Sequence, residues 1–284
     1  MTRLIFGLLA AAAVLPTPLV AQYRGPRSAD YLFGASVWGS RALWVNPAGQ
    51  GIADEASLML EAVVERDPAG NYPLSQYTIG FNSRGFAFGF RRDFFHVDVG
   101  LGPDSLVKTA GNTWRVGFGR GLGSLAIGAA VSFYSGAQTK QDVDIGIRYR
   151  ITHGLDLALG FEHIGQPTVR DSALRFGTAA DLAWTGLGGV LGVNLEARGS
   201  NGYGDLGVVM GYRGGLRLQI PGHIPVALNG VLELDDGFDI GRLLVGLTVG
   251  GNFHGVIVGG GQRLEGTSYL TTASFLGEAS THFR

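Results

Sequence analysis

The chain has 284 residues and a formal net charge of −1, with 48 glycines, no cysteine, 45% hydrophobic and 16% charged residues. A charged fraction well below the about 25% of ordinary soluble domains argues against a water-soluble globule. The near-zero charge argues against a nucleic-acid partner, and the absence of cysteine rules out disulfides and thiol lipidation. Beyond the N-terminus no stretch approaches the about 18 consecutive apolar residues of a spanning helix, which excludes a helical membrane protein.

In chain order the first expected element is a leader. Arg3 precedes an apolar run from Leu4 to Leu15, and the small residue Ala21 stands before Gln22. That is the order of a secretory signal peptide cleaved near residue 21. Residues 22–52 show no sustained alternation; they contain Gly25, Pro26, Gly34 and Gly39 and the charges Arg24, Arg27, Asp30 and Arg41. A segment of that kind is unsuited to lipid and is expected to fold inward as a plug, with Trp38 and Trp44 as anchors. Asn46-Pro47-Ala48-Gly49 closes it with turn chemistry: Asn hydrogen-bonds its own backbone, Pro fixes φ, and Gly accepts positive φ.

From residue 53 to residue 284 the chain reads as short strands of period two. Tyr77, Ile79 and Phe81 oppose Gln76, Thr78 and Gly80. Phe86, Phe88 and Phe90 oppose Ala87, Gly89 and Arg91, and Trp114, Val116 and Phe118 oppose Arg115, Gly117 and Gly119. The pattern continues through residues 125–133, 143–149 and 155–161. With less contrast it runs on through Leu174 and Phe176, then 191–195, 206–212, 216–220, 226–234, 243–249, 253–261 and 268–276. Turn residues separate these runs, among them Asn82-Ser83-Arg84-Gly85, Gly121-Leu122-Gly123-Ser124, Thr152-His153-Gly154, Gly214-Gly215 and Asp235-Asp236-Gly237. Counting residues 56–65, the expectation is an all-β, antiparallel transmembrane barrel of about 14 strands, since single-chain bacterial barrels have even strand numbers. The last strand is expected to end near Phe275 or Leu276.

A barrel of this kind puts its apolar face in lipid and its small and charged face in the lumen, because every backbone group must be paired inside the protein. Phe86, Phe88, Phe90, Val116, Phe118, Ile145, Ile147, Leu157 and Leu159 are expected outside. Arg115, Asp142, Asp144, Arg148 and Glu162 are the candidate lumen-facing charges and partners for the plug. Catalytic motifs are missing. The six histidines are scattered without a His-Glu-x-x-His spacing. Gly121-Leu122-Gly123-Ser124-Leu125-Ala126 leads into a strand where a dinucleotide site needs a helix, and Asp235-Asp236-Gly237-Phe238-Asp239 lacks the ligand ladder of a calcium loop. The expectation is a non-enzyme with no metal and no cofactor.

The stretch from Gly34 to Gly49, ending in Asn46-Pro47-Ala48-Gly49, resembles the N-terminal signature of the long-chain fatty-acid transporter (FadL-type) superfamily. Asp144 to Arg150, followed by Leu157 to Pro167, is similar to the PorV/PorQ branch, with His163-Ile164-Gly165 where Asn-Leu-Gly is expected. The resemblance covers most of the chain after the leader. It implies a 14-stranded outer-membrane barrel with an inward N-terminal segment, carrying hydrophobic small molecules passively in either direction. An accessory barrel that docks or shuttles secreted proteins is the alternative it leaves open. The implied partners are outer-membrane lipid, hydrophobic small molecules or secreted proteins, and the barrel-insertion machinery. The acidic pair usual after the glycine-rich stretch is replaced by Gly39-Ser40-Arg41, so only Asn46, Pro47, Ala48 and Gly49 match motif positions.

Overall fold

The computed structural model describes residues 32–53, 56–65, 70–98, 106–135, 141–169, 172–201, 207–220, 222–223, 226–250, 254–263 and 272–281. The leader expected at residues 1–21, and residues 22–31 of the inward segment, lie outside these. Strands β1 (Ala56–Glu65), β2 (Leu74–Ser83), β3 (Phe86–Asp98), β4 (Leu106–Leu122), β5 (Leu125–Tyr134), β6 (Gln141–Thr152) and β7 (Leu155–Glu162) form successive antiparallel neighbours. A two-stranded ribbon, β8 (Thr168–Val169) with β9 (Ser172–Ala173), stands apart from the wall. The wall continues through β10 (Gly177–Gly186), β11 (Leu191–Asn201), β12 (Val208–Ile220), β13 (Val226–Leu234), β14 (Ile240–Gly250), β15 (His254–Arg263) and β16 (Thr272–Thr281). β16 pairs with β1 from Ala56↔Thr281 to Glu65↔Thr272, closing a fourteen-stranded barrel. No helix among the described residues is long and apolar enough to cross a membrane; closure satisfies the backbone instead.

The alternation sorts by face. Leu60 is 54% exposed, Phe86 51% and Phe118 58%, and Leu58, Ile79, Phe81, Phe88, Trp114, Ile145, Leu157 and Leu159 also stand outside. Their inward neighbours Met59, Thr78, Ala87, Arg115, Asp144 and Ala158 are buried. An exterior of large exposed hydrophobics around a small and polar interior suits hydrocarbon, not water.

Three sequence expectations need correction. Gly214-Gly215 is not a turn but the middle of β12, so the runs expected at 206–212 and 216–220 form one strand. A Cβ on Gly215 would overlap the Phe33 ring, so glycine is there to admit an aromatic side chain from inside. Leu174 and Phe176 precede the strand they were assigned to; β10 begins at Gly177, and its outward Thr178 and Ala180 hide the period. The last strand runs to Thr281 and does not end near Leu276, because β1 offers pairing partners along that whole length.

The two rims differ. On the rim where β1 begins, connections are tight: Arg84-Gly85, Gly123-Ser124 and His153-Gly154 each join two strands. The left-handed backbone these turns require sits at Arg84 (φ 50°), Gly85 (φ 87°), Gly123 (φ 67°) and Gly154 (φ 109°). The opposite rim carries the longer connections, including residues 66–73, 99–105, 163–176 and 264–271.

Residues 32–53 lie inside the barrel. They form a 3-10 turn at Gly39–Arg41, a helical turn at Ala42–Val45 and a 3-10 stretch at Pro47–Ile52. The wall is pared away beneath them. Gly119 pairs with Gly128, Gly128 with Gly146, Gly146 with Gly160, and Gly160 with Ala179, so side chains nearly vanish along a row crossing β4 to β10. A Cβ on Gly128 would run into the Pro47 carbonyl, and one on Gly146 into the Asn46 side chain. Glycine in strands commonly marks such a close backbone approach.

Candidate functional site

The candidate site is the lumen where the inner segment meets the wall. Asn46 caps the Pro47–Ile52 turn: its Oδ1 accepts from the Ala48 N–H at 3.0 Å. Its Nδ2 donates to the carbonyls of Ile147 (3.4 Å) and Leu159 (3.5 Å) on two neighbouring strands. Pro47 takes the first helical position, where its missing N–H costs nothing. Ala48 is buried, and a Cβ on Gly49 would lie 2.5 Å from the Val37 carbonyl, so the segment also packs on itself.

Trp44 is buried against β3, where a Cβ on Gly89 would come within 2.5 Å of its ring. The guanidinium carbons of Arg91 and Arg115 each stand 5.7 Å from that ring, a cation–π arrangement from both. Leu43 and Trp44 join Met59, Ala87 and Ala130 in one buried apolar cluster. Trp38 is different. It stays partly exposed, with Arg41 5.9 Å over its ring, and is not among the nearest atoms to any wall glycine whose surroundings are described.

The charged residues divide into two groups. Arg148 donates to the Val37 carbonyl at 3.0 Å and pairs with Asp156 at 3.4 Å, so it touches the inner segment directly. Arg115, Asp142 and Asp144 form a knot with His163 toward the rim of long connections. Arg115 pairs with Asp144, Asp144 accepts from the His163 backbone N–H at 2.8 Å, and Asp142 binds His163 Nδ1. Asp142 also accepts from the N–H groups of Val143 (2.8 Å) and Gly165 (3.3 Å), tying down the connection after β7. Glu162 flanks this knot at the end of β7.

Asp142, Asp144 and His163 offer ligand atoms within 4.8 Å of one another, a spacing that could hold a metal ion. The Arg115 guanidinium already neutralises Asp144 from inside, and the remaining acceptors are engaged by N–H groups, so the cluster is satisfied as it stands. His163 lies just beyond β7. Burial works against its protonation, but the Asp142 carboxylate bonded to Nδ1, with Asp144 beside it, outweighs burial and holds its pKa above the ordinary 6.5.

Two clamps on the opposite wall and one on the near side were not singled out from the sequence. Asp181, only 2% exposed, accepts from the Ala35 N–H at 2.6 Å. Arg213 donates to the Leu32 carbonyl at 3.4 Å, stands 4.7 Å over the Phe33 ring, and pairs with Glu196 at 3.0 Å. Phe33 packs with Val231 and Leu244. On the near side Ser40 N–H donates to Ser57 Oγ at 2.8 Å. The segment is therefore fixed from β1 across the lumen to β14. A small cavity remains beside it, lined by Gly34, Asn46, Gly160, Asp181 and Glu196 among others.

No protein-family model matches the chain, and no curated protein matches it. Among solved structures it is similar to a mutant of the TodX monoaromatic hydrocarbon channel, with a TM-score of 0.61 and 10% identity over 90% of this chain and 98% of that one. It is likewise similar to the Ralstonia pickettii toluene transporter TbuX, with a TM-score of 0.61 and 13% identity over 92% and 98% of the two chains. The CymD monoaromatic hydrocarbon channel gives 0.53 and 10% over 91% and 98%. At these identities the likeness is one of fold: an antiparallel β-barrel, matched over nearly the full length of each of those chains.

Proposed function

We propose that the protein is an outer-membrane channel for the passive passage of small hydrophobic molecules, closed at rest by its own N-terminal segment. The observation that carries this reading is the fit between the inner segment and a wall reduced to glycine where the two touch. The channels of the same fold carry monoaromatic hydrocarbons and toluene by their names, and that class of cargo is the one proposed here. In this reading residues 1–21 are the leader, residues 22–52 the plug, and residues 53–284 the barrel. Asn46 to Gly49 brace the plug, Trp44 anchors it, and the tight turns face the periplasm while the long connections face out. The protein performs no chemistry on its cargo.

An apolar solute gains nothing from Arg115, Arg148, Asp181 or Arg213, which instead hold the inner segment, and passage requires the plug to shift. The test is deletion of residues 22–41, with conductance recorded in planar bilayers and toluene uptake measured in proteoliposomes. A rise in both is expected. A barrel that stays closed to ions and toluene would overturn the proposal. It would favour instead an accessory barrel in protein secretion.

A further inference from the structure

The outward column of β3 reads Phe86, Phe88, Phe90, Arg92, Phe94, one cation within a line of aromatics. Register sets Arg92 opposite Tyr77 on β2 and Asn112 on β4, on the same face as the exposed Ile79, Phe88 and Trp114. Its guanidinium carbon lies 5.5 Å over the Phe94 ring. Around it the rings touch one another: Tyr77 with Phe90 at 5.9 Å and Phe94 at 6.1 Å, and Phe90 with Trp114 at 4.4 Å. Among the described residues no carboxylate pairs with Arg92. The neighbouring Asp93 is held by Gln76 and Arg91.

The height of this cation is set by the strands. On β3 the apolar run lies between Arg84 in the turn and Arg92; on β4 it lies between Arg120 and Asn112. Eight residues at about 3.3 Å each, tilted by about 40°, rise roughly 20 Å, close to the about 25 Å of an outer-membrane apolar band. Arg92 thus marks the upper edge of the hydrocarbon, on the side of the long connections. Above it β3 and β4 go on pairing, from Phe94↔Ala110 to Asp98↔Leu106, past the last partners that β2 and β5 provide. A two-stranded wall therefore backs the position.

We infer that Arg92 and its aromatic collar bind the phosphate headgroup of a lipid in the leaflet on the long-connection side. A guanidinium binds phosphate oxygens through paired charge-assisted hydrogen bonds. Tyr and Trp rings at headgroup level pack against the glycerol and the first methylenes. The inference requires only that the barrel span a bilayer and holds whether or not it conducts.

The test is native mass spectrometry of the full-length protein in detergent, with phosphatidylglycerol or diacylglycerol of the same acyl chains added. Wild type is expected to retain phosphatidylglycerol and not diacylglycerol. Arg92→Gln should weaken retention about fivefold, the contribution of one basic residue near an anionic surface; Arg92→Lys should keep most of it, and Arg84→Gln on the opposite rim should change nothing. Equal retention of the two lipids by wild type would overturn the inference without any variant. So would displacement of the lipid by millimolar inorganic phosphate, which would mark a site for the free anion, and so would an Arg92→Gln protein that folds and retains lipid as wild type does.

Discussion

Replacing Asn46 by alanine isolates the hold of the wall on the inner segment. The substitution removes the acceptor of the Ala48 N–H, which at 3.0 Å is a sound hydrogen bond in a fully buried place. Losing such a cap costs about 1 kcal/mol, and stranding a buried donor costs about 1–3 kcal/mol. The contacts to the Ile147 and Leu159 carbonyls, at 3.4 and 3.5 Å, are at the limit of hydrogen bonding and add little. A total near 2 kcal/mol corresponds to a roughly 30-fold rise in the population of the released segment. Hydrogen exchange followed by mass spectrometry should show that loss of protection in peptides covering residues 42–52. Peptides from β10 and β11 should keep theirs. Asn46→Asp preserves the acceptor but sets an unpaired carboxylate against two carbonyls, so it should be at least as damaging. A change below about threefold at residues 42–52, or one spread equally through the strands, would refute the cap as the point of attachment.

Two further outcomes follow from the outer face and from the knot. Phe88→Arg places a cation on the lipid side of the apolar belt, where it should cost about 2–4 kcal/mol of barrel stability in a bilayer; urea titration of reconstituted protein measures it, and a stability equal to wild type would mean that the face assignment is wrong. His163 has a raised folded pKa, so its ionic contribution is fully present below the ordinary value of 6.5 and is lost as pH rises through the higher folded value. The groups facing it are Asp142, Asp144 and Glu162, with Arg115 and Tyr134 behind them. Protease nicking in the connection of residues 163–176 should accordingly increase as pH rises above 6.5. In His163→Gln that pH dependence should be gone, and its persistence would place the titrating group elsewhere.

The wall was legible where the two faces contrast most. In β2 to β7 aromatic and branched residues stand outside while Gly, Ala and charge stand inside, so Phe86 to Arg91 or Ile145 to Arg148 reveal their faces unaided. Contrast fails in β10, whose outward Thr178 and Ala180 differ little from inward Ala179. Without that strand in place, Asp181 could not be recognised as an inward charge, although it has the same signal as Asp144: a carboxylate on the small-residue parity of a strand. Gly214-Gly215 misled for a related reason. Two adjacent glycines carry turn chemistry, and only the Phe33 ring explains why one of them is needed within β12.

The inner segment was harder to read because its attachments are largely main-chain. Asp181 takes the Ala35 N–H, Arg148 the Val37 carbonyl and Arg213 the Leu32 carbonyl, contacts that leave no mark on the segment's own sequence beside those of Phe33, Trp44 and Asn46. What specifies the fit is written in the wall instead. Gly119, Gly128, Gly146 and Gly160 are separated along the chain, yet pairing makes them a continuous row. That row exists only once the Gly123-Ser124 and His153-Gly154 turns and the connection at 135–140 have set the register, since a one-residue slip would turn each glycine outward. A shift in any of these connections would move side chains into the path of Asn46, Pro47 and Ala48. The seating of the inner segment thus depends on strand register as much as on the segment itself.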